Sequence, residues 1–81
     1  MKQLKNIPAK ELVQALTKIG YSITRQKGSH IRMSAFFSGA THHITIPNHD
    51  PIKIGTLSAI IKDIAENRNM SKEEITNTLF G

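Results

Sequence analysis

Residues 21–46 hold three runs in which apolar and polar side chains alternate, separated only by Lys27-Gly28-Ser29 and Phe37-Ser38-Gly39-Ala40. A period of two is the mark of a half-buried strand. Connections this short leave no room for a crossover, so the three strands must form an antiparallel meander. In the first run Tyr21 and Ile23 alternate with Ser22 and Thr24. In the second, Ile31, Met33 and Ala35 share one face, and His30, Arg32 and Ser34 share the other. In the third, Ile44 and Ile46 oppose His43 and Thr45, and Pro47 ends the run because it cannot donate to a ladder.

The segments on either side change period. Between Pro8 and Ile19, the residues Leu12, Val13, Leu16 and Ile19 recur at helical spacing, and Gly20 suits a left-handed cap. After a loop over 48–54, Thr56 reads as an N-cap, and Leu57, Ile60, Ile61, Ile64 and Ala65 make a broad apolar stripe. Ser71-Lys72-Glu73-Glu74 has the form of a capping box and opens a short helix carrying Ile75, Leu79 and Phe80. The expected fold is α+β: an α-β-β-β-α order with a three-stranded antiparallel sheet, two helices on one face and a short C-terminal helix. With 81 residues the chain is expected to form a single domain over 1–81.

Both helices should cover the Ile/Met face, because a sheet with one apolar face needs a cover. The other face is then open and carries His30, Arg32, Ser34, His43 and Thr45, which core packing does not explain. Charge points the same way. Residues 1–47 hold seven Lys and Arg against one acid, a net of +6, whereas residues 48–81 hold four against five, a net of −1. A basic half in a chain of pI near 9.9 is the electrostatic footprint of a nucleic-acid binder, although the same charge also serves solubility. Cysteine is absent, which excludes disulfides, thiolate catalysis and cysteine-ligated zinc. No apolar run is long enough to span a membrane, and residues 1–6 lack the apolar stretch of a secretory signal, so a cytoplasmic location is expected.

His30 has two readings from its surroundings: a solvated residue at a strand end, or a general acid/base, a role for which an imidazole suits neutral pH. Lys27 brings charge, Gly28 a flexible turn and Ser29 a hydroxyl, a group able to hold a phosphate. His42 and His43 are adjacent on a strand and must point to opposite faces, so they cannot share a metal. No metal or cofactor site is expected. Phosphate-loop, dinucleotide and nucleophile-elbow motifs are all missing.

Three motifs together carry a resemblance. Gly28-Ser29-His30, then Ile46-Pro47-Asn48-His49, then Lys53-Ile54-Gly55-Thr56-Leu57 leading into Ile60-Ile61-Lys62, resemble the HicA toxins, also described as YcfA-like proteins. The likeness runs over about residues 4 to 67. It implies a double-stranded-RNA-binding-domain-like fold, cleavage of mRNA, and neutralisation by a HicB-like antitoxin that covers the open sheet face. The catalytic histidine of the family's Gly-Ser-His motif maps onto His30. The chain departs from the pattern in Phe36-Phe37, in the His42-His43 pair and in a helix after residue 70, which leaves substrate preference open. On this reading His30 supplies acid/base function, while Lys27, Gly28, Ser29 and Arg32 bind RNA. His43 or a water is the candidate second acid/base. The rival readings are a non-catalytic RNA- or DNA-binding module of the same fold and an inert protein-interaction domain.

Overall fold

A computed structural model describes residues 6–81. Residues 1–5, with Lys2, Lys5 and most of the stretch that lacks a secretory signal's apolar run, lie outside the described residues. Six elements follow in order: α1 (Ala9–Thr17), β1 (Ser22–Lys27), β2 (His30–Phe37), β3 (Ala40–Pro47), α2 (Ile54–Arg68) and α3 (Lys72–Phe80). The sheet is an antiparallel meander in the order β1-β2-β3, so β2 is central. The α+β layout read from the sequence is the one observed.

Each turn has the chemistry its geometry needs. Gly28 has φ +57° at the first position of the β1–β2 loop, where a II′-type hairpin turn requires positive φ. Ser38 and Gly39 both have positive φ, 53° and 82°, as a I′-type turn requires. Met33, Ile46, Leu12, Leu16, Leu57, Ile61 and Ile64 are fully buried, and α3 adds Ile75 and Leu79 to the same cluster. Packing α3 against both α1 and α2 completes a helical layer behind one face of the sheet.

Three local expectations are corrected. Tyr21 precedes β1 and is buried, but Ile23 is 49% exposed although it lies opposite Met33 on the helix side. All six residues of β1 are exposed, because the helical layer does not cover this edge strand. Thr56 is not the N-cap of α2. The Leu57 N–H donates to the Lys53 carbonyl at 2.9 Å, so Lys53 holds the cap position and Thr56 lies in the first turn. That earlier start follows from a tertiary anchor. Ile52 is buried, and its N–H donates to the Ile7 carbonyl at 2.8 Å, pinning the chain just before the helix. Pro8 takes the cap position of α1, and α1 ends at Thr17, short of Ile19.

Candidate functional site

Strand register decides which side chains meet on the open face. His30 begins β2 and is exposed, directly opposite Lys27 on β1 and Pro47 on β3. Directly paired residues share a face with Cβ atoms roughly 5 Å apart. The next residue along that face is Arg32, flanked by Arg25 and Thr45. Beyond it come Ser34 beside His43, then Phe36 beside Thr41. The three strands contain no acidic residue. The imidazole of His30 therefore stands among three cationic side chains, on a surface whose potential favours an anion.

Arg25 was not apparent from alternation. Between Ile23 and Arg25 the register shifts at a β-bulge, so Thr24 and Arg25 together fill one place opposite β2. Strict alternation would put Arg25 and Lys27 on the helix side with Ile23. The bulge turns both to the open face, beside Arg32 and His30. The sequence carried only an indirect signal: charged residues at positions whose parity matched buried Tyr21.

The bulge also supports a hydrogen-bonded chain across all three strands. Ser34 is 8% exposed although it belongs to the open face, because Thr24 Oγ1 lies 3.2 Å from its hydroxyl and His43 Nδ1 lies 2.5 Å from it. His43 is thus held from beneath, opposite Ser34 and four residues along β2 from His30. At about 3.3 Å per residue that is roughly 13 Å of strand, beyond the reach of a shared proton transfer. His30 and His43 occupy one face but are not brought together.

The turn bearing Gly28 and Ser29 is braced rather than free. The Asn48 N–H donates to the Ser29 carbonyl at 2.6 Å, and the Ala9 N–H donates to the His49 carbonyl at 3.1 Å. The loop after β3 thereby ties the site turn to the start of α1. His42 faces the helices instead, between Tyr21 and Asp63. Among the described residues, no group of three or more His, Asp or Glu is arranged to hold a metal.

A sequence model of a family described as the HicA toxin of bacterial toxin-antitoxin matches residues 9–65, which is more than half of the chain. The match takes in α1, all three strands and most of α2, and leaves α3 outside. No curated protein and no solved structure matches the chain.

Proposed function

We propose, for a chain that belongs to the HicA toxin family and is therefore a toxin with a cognate antitoxin as partner, that it acts as a metal-independent endoribonuclease on mRNA in the cytoplasm. The observation that carries this reading is His30, exposed opposite Lys27 and beside Arg32 and Arg25, on a sheet without acids. RNA brings its own nucleophile, the 2′-hydroxyl. His30 accepts the 2′-hydroxyl proton as that oxygen attacks phosphorus. The bond from phosphorus to O5′ breaks, giving a 2′,3′-cyclic phosphate and a 5′-hydroxyl. The proton required by O5′ comes from water or from protonated Lys27, the titratable group directly across the strand pair. Lys27, Arg32 and Arg25 neutralise the charge that grows on the phosphoryl oxygens, so no metal is needed for that task. Ser29 and the Gly28 turn orient the phosphate. His43 contacts RNA further along the strand. An antitoxin of HicB type inhibits by lying over this same face.

His30→Ala tests the reading. General acid–base catalysis is worth about 10²- to 10⁴-fold, so cleavage of RNA in EDTA should fall by that factor while binding persists. In cells lacking the antitoxin, the variant should no longer arrest growth. RNA retained but left intact by the unaltered protein would instead indicate a non-catalytic binding module.

A further inference from the structure

Phe36 is 75% exposed, the most exposed of the large apolar residues in the described chain. It lies on the open face, opposite Thr41, at the far end of β2 from His30. Its neighbour Phe37 points the other way and is engaged, with the Arg68 guanidinium 4.5 Å from its ring centre. Among the described residues, no ring contact or hydrogen bond engages the Phe36 side chain. Six residues of strand separate it from His30, about 20 Å, a span of a few extended nucleotides. Arg32, Thr45 and His43 line the path between them, without an acidic group.

We propose that Phe36 is a stacking platform for one base of single-stranded RNA, several nucleotides from the phosphate held at His30. The proposal rests on the ribonuclease reading and adds to it a binding subsite and a minimum substrate length. Sheet-face aromatics take up unpaired bases in this way because every base presents a π-face, whereas a duplex keeps its bases stacked inside. The cations at the His30 end hold the backbone, and the uncharged end beside Phe36 holds a base. The site then favours unpaired over double-stranded RNA, although the family resemblance implies a duplex-binding type of fold.

The test uses the non-cleaving His30→Ala protein with an RNA octanucleotide and with a dinucleotide too short to reach Phe36. Adding Phe36→Ala should weaken octamer binding about tenfold or more and leave dinucleotide binding unchanged. Phe36→Leu should behave like Phe36→Ala, since it keeps the apolar bulk but not the ring face. Phe36→Trp should retain binding, and its fluorescence, unique in a chain without tryptophan, should be quenched by the octamer. Equal octamer affinity with and without the Phe36→Ala substitution would overturn the proposal, provided Lys27→Ala still weakens binding. Loss of antitoxin affinity with RNA affinity untouched would overturn it in favour of a protein anchor. If the His30→Ala protein retains no RNA at all, the ribonuclease reading falls and this subsite with it.

Discussion

Tyr21, the chain's one tyrosine, is buried and joins the strand layer to the helical layer through a polar chain that runs out to an exposed carboxylate. Its hydroxyl lies 2.7 Å from His42 Nδ1, and His42 Nε2 lies 3.1 Å from Asp63 Oδ1. With neutral imidazole, the phenol donates to Nδ1 and the Nε2–H donates to the carboxylate, so Asp63 fixes the tautomer. Arg68 completes the group, with its guanidinium 5.4 Å from the tyrosine ring centre and Nη2 donating to the Ile19 carbonyl at 2.8 Å. Burial pushes the Tyr21 phenol above its ordinary value of 10.0, against the attraction of Arg68 for the phenolate. The unfolded chain therefore ionises first. The stability tied to the neutral phenol is present below that ordinary value and is lost as pH rises toward the folded-state value. With no tryptophan to interfere, the phenolate ultraviolet band should titrate above 10.0 in the folded protein and fall back on unfolding. Tyr21→Phe should remove this alkaline sensitivity and cost about 1 kcal/mol at neutral pH through the lost hydrogen bond. Alternation alone was enough to separate His42 from His43. The bond from His42 to Asp63 spans 21 residues and depends on how α2 lies against β3, so no local pattern announces it.

Among the elements, those set by neighbouring residues were legible and those set by distant ones were not. The capping box of α3 needs only Ser71 and Glu74. The Glu74 N–H donates to Ser71 Oγ at 3.0 Å, and the Ser71 N–H donates to Glu74 Oε1 at 2.9 Å. Ser71→Ala should cost about 1 kcal/mol, measured as a shift in the denaturation midpoint. The chain passes from Arg68 into a left-handed cap at Asn69, where the Met70 N–H reaches back to the Ala65 carbonyl at 2.9 Å, again a local pattern. The start of α2 is different, because the contact between Ile52 and Ile7 crosses most of the chain. β1 is the sharpest case. An edge strand exposed along its whole length has no buried face to enforce register, so a bulge costs little there. Its effect on the site is large, because it carries Arg25 across to the open face. Arg25→Ala should therefore weaken RNA binding about as much as Arg32→Ala, whereas an unbroken strand would make Arg25 irrelevant. A binding titration of the two variants decides between these pictures.

The described residues form a plate, 32 × 31 Å across and 19 Å thick, with cations on the open sheet face and all the acids elsewhere. Glu11, Asp63, Glu66, Glu73 and Glu74 lie on helices and Asp50 lies in the loop before α2. Lys10, Lys18, Lys62 and Lys72 also belong to the helical layer. The formal charge of +5 is therefore a poor guide to affinity. At physiological salt the screening length is about 8 Å, shorter than the plate is thick, so cations behind the sheet contribute little to a strand bound in front of it. Among the described residues the strands themselves supply three cations, Arg25, Lys27 and Arg32, to displace counterions. For single strands the logarithm of affinity falls with the logarithm of salt at about −0.7 per phosphate neutralised, which gives a slope near −2 here. Lys27→Gln should flatten that slope by about 0.7, whereas Lys62→Gln, on the helical layer, should leave it unchanged. If both substitutions flatten it equally, binding follows net charge, and the open face has no special claim on RNA.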